Sequence, residues 1–511
     1  MSKALLKSAS LVSLMTLISR IFGFGRDLIA AQIFGVNPNV DAFYIAFKIP
    51  NFMRNIFAEG SFSQAFVPVL SDYRQNRSKQ EVVLFIRHMS AAFIIILLAV
   101  TILGILGAPY LISLFAPGLD SYRSQLASKM LRITFPYLML ISLSAFIGSI
   151  LNSYNKFGIP ALTPALLNIC LILTAFTLAH YLLISIESQA WGVLIAGFVQ
   201  VLFQLPSLYR IGFSIFPKFC WHDEGVKRVY KLIIPALFGS STGQINILLN
   251  TMLASFLTTG SITWLYYSER LAYFPLGIFG VALATVVLPQ LSRQHAIEST
   301  EGFSKLLDWG VRCNLLIGIP ASIAMLILSG PLIVSLFQYG KFTIDDVLMT
   351  QQSVIAYSVG LQAFMLAKVL SSAFYAKQDV LTPVKLSIIS LLAGMILSVI
   401  LIWPLRHAGL ALATSLSAWI NTTLLCLALY KRGVYRIQKS WWKFILQLTF
   451  ANSMLSLFLW WNCENIITWI NWSYAQRFAH IFSLGCGSIV LYVFCLWLSN
   501  MRLGYFKVLT S

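Results

Sequence analysis

Apolar runs broken by polar residues, proline or glycine recur along nearly the whole chain. They fall at 8–34, 41–70, 84–115, 125–153, 160–184, 189–214, 228–257, 262–290, 307–329, 350–375, 383–403, 408–430, 442–462 and 478–500. Each is about 20 residues or longer, the length at which an α-helix crosses the hydrocarbon core of a bilayer. The longest imply tilt or extension past the lipid. The pattern predicts an all-α integral membrane protein with about fourteen transmembrane helices.

Composition excludes a soluble alternative. Of 511 residues, 58% are hydrophobic and 10% charged, against roughly 25% charged in a soluble domain. Lys3 and Lys7 ahead of an apolar run resemble a secretion signal, but Arg20 interrupts the run and no small-x-small cleavage site follows, so the segment is expected to be a retained first helix. The net charge of +19 is a topology signal. With fourteen spans, 24 of the 36 Lys and Arg fall on the side of the termini, six on the other side and six inside spans. That bias puts both termini in the cytoplasm of a multi-pass inner-membrane protein. No nucleic acid need be invoked.

Three anchors repeat at nearly constant distance. Val67-Pro68-Val69-Leu70-Ser71 resembles Leu288-Pro289-Gln290-Leu291-Ser292, 221 residues on. Ala108-Pro109-Tyr110-Leu111-Ile112-Ser113-Leu114-Phe115 resembles Gly330-Pro331-Leu332-Ile333-Val334-Ser335-Leu336-Phe337 at 222, and Leu162-Thr163-Pro164 matches Leu381-Thr382-Pro383 at 219. The expectation is two pseudo-symmetric six-helix lobes, residues 1–220 and 221–435, followed by 436–511 with two further spans and a tail. Parallel repeats of this kind place substrate between the halves.

Ionisable residues inside spans cost about 2.5–3.5 kcal/mol or more, so they mark a cavity or a partner. Arg20, Arg26, Asp27, Asp41, Lys48, Arg54, Glu59, Glu269, Arg270 and Lys368 all lie within or at the ends of spans, most of them early in each lobe. Measured from Lys48 at about 100° per residue, Asp41 and Glu59 lie near +20°, Asn55 near −20° and Asn51 near −60°. The second span thus carries one polar stripe, with Arg54 on its flank. On the first span Arg20 and Asp27 share a side, and Gly23 and Gly25 permit a bend or a close helix approach. Local pairing of Arg26 with Asp27, or snorkelling of Arg54 and Glu59, is the structural alternative. Six bases against four acids favour an anionic ligand, and the planar arginine fork suits phosphate.

Other chemistry is missing. The seven cysteines show no paired spacing, the six histidines no HExxH, and no GxxxxGK[ST] loop occurs. The expectation is a transporter rather than an enzyme. It would carry no cofactor and would be driven by membrane potential or an ion gradient, not by nucleotide.

Ser19-Arg20-Ile21-Phe22-Gly23-Phe24-Gly25-Arg26-Asp27, Asp41-Ala42-Phe43, Phe57-Ala58-Glu59-Gly60-Ser61-Phe62-Ser63-Gln64-Ala65-Phe66-Val67-Pro68 and Ser335-Leu336-Phe337-Gln338-Tyr339-Gly340 resemble the bacterial lipid II flippase (MurJ/MviN) family of the MOP exporter superfamily. The resemblance runs through spans 1–12 and is weaker in 13–14. It implies fourteen helices and movement of undecaprenyl-diphosphate-disaccharide-pentapeptide from the cytoplasmic to the periplasmic leaflet by alternating access. It implies a central cationic cavity whose required arginines correspond to Arg20, Arg26, Arg54 and Arg270. Asp27, Asp41, Lys48, Asn51 and Glu59 match further cavity positions, with Glu269 beside Arg270. Asn55 stands where relatives commonly carry arginine and Tyr273 where they carry an acid. Spans 13–14 would form a groove for the polyprenyl tail. Lipid II, membrane lipids and cell-wall synthesis or division proteins are the implied partners. The rival readings are another MOP transporter (an O-antigen-type flippase or a multidrug exporter), a polyprenyl-phosphate enzyme and a division scaffold. The enzyme lacks a catalytic cluster in the sequence, and the scaffold would not need the polar stripe.

Overall fold

The computed structural model describes residues 3–54, 61–220, 223–436 and 440–501. Every extended element among them is a helix. In chain order they are α1 (Lys3–Phe34), α2 (Pro38–Arg54), α3 (Ser61–Asn76), α4 (Lys79–Leu106), α5 (Ala108–Phe115), α6 (Ser121–Thr134), α7 (Pro136–Ser153), α8 (Gly158–Phe176), α9 (Glu187–Arg210) and α10 (Glu224–Ser255). There follow α11 (Ser261–Pro275), α12 (Val281–Ala296), α13 (Thr300–Ile327), α14 (Ser329–Phe337), α15 (Ile344–Ala376), α16 (Leu381–Lys431), α17 (Trp441–Asn462), α18 (Ile466–Asn471) and α19 (Tyr474–Leu498).

Ten helical stretches among the described residues are long and apolar enough to cross a bilayer. One of these, α16, runs for 51 residues and breaks at Arg406 (φ 48°, ψ −128°), so it holds two arms, each of spanning length. The helices α1 and α2 are not among the ten. Arg20, Arg26 and Asp27 interrupt the apolar run of α1, and α2, 17 residues long, carries Asp41, Lys48 and Arg54.

The repeat seen in three short anchors extends to whole elements. Helices α1 and α10 are each 32 residues long and begin 221 residues apart; α4 and α13 are each 28 residues long and also begin 221 apart. Helix α5 corresponds to α14, the α6–α7 pair to α15, and α8 and α9 to the two arms of α16. Capping follows the same order. Ser78 accepts from the Glu81 backbone N–H at the start of α4, and Ser299 from the Gly302 N–H at the start of α13. Asp120 caps α6 and Thr343 caps α15. Each cap satisfies a donor that the helix itself leaves unpaired.

By contacts the chain divides into two compact units, Met1–Thr263 and Trp264–Ser511. The first is held by an aromatic core in which Phe62 stacks on Phe93 at 4.5 Å and Phe66 meets Phe146 at 5.1 Å; ring pairs at this range add to the burial of their area. Helix α10 packs in this unit against α3, α4 and α5. The second unit centres on Val287, Leu291, Leu307, Val369, Phe374, Leu425 and Leu429. Its last helices dock through a polar anchor on α13. Buried Asp308 accepts from Trp441 Nε1 at 2.6 Å and Tyr435 Oη at 3.0 Å, and its other oxygen lies 2.7 Å from Arg312 Nε. The anchor supplies what apolar contact in lipid does not, a directional bond that fixes where α17 sits.

Candidate functional site

The charged positions of the first unit occupy three different settings. Arg26 and Asp27 are buried on α1 (7% and 2% exposed). Arg26 donates from Nε (3.0 Å) and Nη2 (2.6 Å) to Asp27 Oδ1, and from Nη1 to Asn168 Oδ1 at 3.1 Å. Asn168, on α8, in turn donates through Nδ2 to the Ser19 carbonyl at 3.2 Å. A Cβ at Gly23 would stand 3.3 Å from the Asn168 amide, so the glycine allows α1 to close on α8. Asp27 therefore pairs with its neighbour Arg26, and Arg20, one turn and more away, is exposed.

Asp41, in the first turn of α2, is 1% exposed and has a different task. Its carboxylate accepts the Gly260 N–H at 2.6 Å, the Thr263 N–H at 3.0 Å and the Thr263 hydroxyl at 2.6 Å. The two backbone donors lie at the start of α11, so a side chain from α2 supplies the anionic cap that this helix start favours. Gly260 adopts φ 97°, a conformation that glycine reaches without strain. Arg123 lies 3.9 Å from Asp41 and 2.8 Å from Asp120. The Arg123 backbone N–H and guanidinium hold the Asp120 carboxyl below the usual carboxylate range.

Further along α2, Lys48 donates to Thr251 Oγ1 on α10 at 3.1 Å, and Asn51 donates to the Phe47 carbonyl of its own helix at 3.0 Å. Arg54 is half-buried at the end of α2. Glu59 and Asn55 lie outside the described residues. In the second unit Glu269 is half-buried and Arg270 exposed. Arg270 reaches Tyr266 one turn back, 5.2 Å above its ring, a cation–π contact. Tyr273 sits between Tyr357 (6.0 Å) and Phe364 (5.3 Å). A π-helical turn at Leu276–Gly280 follows. Lys368 is exposed on α15.

Sequence reasoning passed over Asn168, Thr251 and Tyr266, which engage the predicted residues. Asn168 had a signal, as a lone amide in the apolar run Leu166–Leu171. Arg123 falls between two apolar runs, and its approach to Asp41 is a tertiary fact. Among the described residues no cluster of three or more His, Cys, Asp or Glu is placed to hold a metal ion.

Duplicated helical halves with ionisable groups at membrane depth define a polytopic transporter. The fold is similar to that of a solved inward-facing multidrug MATE transporter of the MOP superfamily, which superposes with TM-score 0.68 over 84% of this chain and 99% of its own, at 14% identity. The chain belongs to the lipid II flippase MurJ family, whose description it matches over residues 30–480. A Vibrio cholerae protein described as "Probable lipid II flippase MurJ" is 42% identical, covering 100% of this chain and 99% of that relative. The Burkholderia cenocepacia lipid II flippase MurJ is 36% identical over 97% and 98%. A solved lipid II flippase MurJ in an inward closed conformation superposes with TM-score 0.82 at 29% identity, over 96% of this chain and 100% of its own.

Proposed function

We propose that this chain flips lipid II across the bacterial inner membrane, delivering it from the cytoplasmic to the periplasmic leaflet by alternating access. The observation that carries this reading is the family match across nearly the entire length, with relatives covered end to end. The intramembrane charges suit the substrate. Arg20, Arg54 and Arg270 carry guanidinium forks matched to the paired oxygens of a diphosphate, and Lys48 adds a cation. Arg26 is held ready by Asp27 and Asn168. The sugars and peptide travel through an aqueous path, while the polyprenyl tail stays in lipid, where its apolar surface costs nothing.

Transport needs a driving force, and the sequence has no phosphate loop with which to use nucleotide. A membrane potential supplies about 2.3 kcal/mol per charge per 100 mV, and an ion gradient can add to it. Both termini face the cytoplasm in this reading.

Binding of lipid-linked diphosphates and of organic cations to the purified protein tests the reading. The diphosphate should bind preferentially, and the preference should weaken as salt screens the charges. Tight cation binding with no response to the diphosphate lipid would favour an exporter of the multidrug kind.

A further inference from the structure

Two clefts, of about 490 and 400 Å³, share the indole of Trp472 as a wall at the end of α19 remote from the C-terminus. The smaller is lined by Gln338, Tyr339 and the first turn of α19, including Ser473, Tyr474 and Arg477; the larger by Gln476, His480 and Ser483 among others. Both lie within the second unit.

Arg477 is 6% exposed. It donates from Nε to the Trp469 carbonyl (2.9 Å), from Nη2 to the Ile470 carbonyl (2.6 Å) and from Nη1 to the Val334 and Gln338 carbonyls (3.3 and 3.4 Å). Its guanidinium lies 5.3 Å above the Tyr339 ring. No Asp or Glu among the described residues forms an ion pair with it. The carbonyl ends of α14 and α18 seat the charge but offer only partial charges, and the positive end of the 25-residue α19 opposes them. The cleft keeps a cationic wall.

Three buried polar atoms at this place have no hydrogen-bond partner: Trp469 Nε1, His480 Nε2 and Gln338 Oε1. Trp469 is fully buried and packs on Trp472 and His480 at 4.9 and 5.3 Å. Buried polar groups are normally paired; Trp469 lines neither cleft, but Gln338 and His480 each line one, where a ligand with anionic oxygens and a hydroxyl can meet them. Further along α19, Phe478, Phe482, Ile489 and Val493 follow one face of the helix, all exposed (Phe482 73%, Ile489 66%). Trp472 is an amphipathic ring of the kind that marks a membrane interface.

We propose that these clefts bind the phosphate of a hydroxyl-bearing lipid headgroup, with the acyl chains lying along the exposed face of α19. The phosphate lies against Arg477 and the α19 start, and a headgroup hydroxyl donates to Gln338 Oε1. The site shares no residue with the intramembrane arginine set, and its test reads lipid binding rather than transport.

The test titrates the full-length, delipidated protein with phosphatidylglycerol or with diacylglycerol of the same chains, counting retained lipid by native mass spectrometry. Inorganic phosphate serves as competitor. Arg477→Gln removes the seat that joins α14, α18 and α19 and is expected to lower thermal stability, so the readout uses Gln338→Leu and His480→Phe at the cleft walls. The proposal expects phosphatidylglycerol to be retained over diacylglycerol, and each variant to weaken it about tenfold with an unchanged thermal midpoint. Displacement by millimolar phosphate would show that the anion alone suffices; resistance to it would show that the lipid chains hold the headgroup in place. Equal retention of the two lipids, or variants that hold phosphatidylglycerol as tightly as the parent, would overturn it.

Discussion

Replacing Asp41 by Asn keeps the shape of the side chain and removes the charge that three donors share. The Gly260 N–H, Thr263 N–H and Thr263 hydroxyl all point at its two oxygens, at 2.6–3.0 Å, in a site 1% exposed. Bonds to a charged group contribute about 1.5–3 kcal/mol and neutral ones about 0.5–1.5, while a buried donor left unpaired costs about 1–3 kcal/mol. The Asn amide nitrogen must face one of the donors, so the turn before α11 should lose about 3 kcal/mol, on the order of 100-fold in its opening equilibrium. Hydrogen exchange at the Gly260 and Thr263 amides reads that opening directly. Thr263→Val removes one donor and should cost about 1 kcal/mol in the parent, but less in the Asp41→Asn background, because contacting residues are not additive. Amide protection at residues 260–263 that is the same in Asp41→Asn as in the parent would refute the assignment of Asp41 as the cap of α11.

Arg26→Ala should abolish complementation of a flippase-depleted strain at near-normal membrane levels, and adding Asp27→Ala should not restore it. Recovery in the double mutant would make Arg26 a purely structural partner of Asp27. Arg270→Ala should also abolish complementation, whereas Arg270→Lys keeps the charge, loses the two-pronged geometry and should recover only part of the activity; full activity of the Ala variant would remove Arg270 from the substrate site. Outside the spans, Thr382 and Arg432 hold the Asp379 carboxyl down at about 2, the Thr382 hydroxyl being the largest cause. Because this folded value is depressed, the contact is fully present above the ordinary value of 3.8 and is lost as pH falls toward 2. Amide protection factors at residues 378–382, which remove the intrinsic pH dependence of exchange, should be steady from pH 7 to 5 and fall only below about 4; a fall near pH 6 would contradict the assignment.

The chain announced its helices more clearly than its side-chain pairings. Helix boundaries follow local punctuation: Ser78 and Glu81 form a capping box at α4, and Pro109 and Pro331 stand at the start of α5 and α14. The 221-residue period was visible because it preserves element lengths as well as motifs. Two features escaped. The arms of α16 join through a strained Arg406, where the sequence pattern shows only a gap between apolar runs. The polar stripe on α2 placed Asp41, Lys48 and Asn51 on one face, but a wheel cannot say what meets that face. Asp41 meets the start of α11, more than 200 residues on, and Asn51 turns back to Phe47. Pairings of that kind depend on the packing of separate helices, which no local pattern encodes.

The leaflet distribution of lipid II tests the central claim most directly. In cells depleted of this protein, lipid II should accumulate where only the cytoplasmic side can reach it, and re-expression of the parent chain should restore its appearance at the periplasmic face. Arg20→Ala or Arg270→Ala, expressed to the same level, should leave it trapped. Unchanged periplasmic lipid II on depletion, with no other flippase present, would contradict the account.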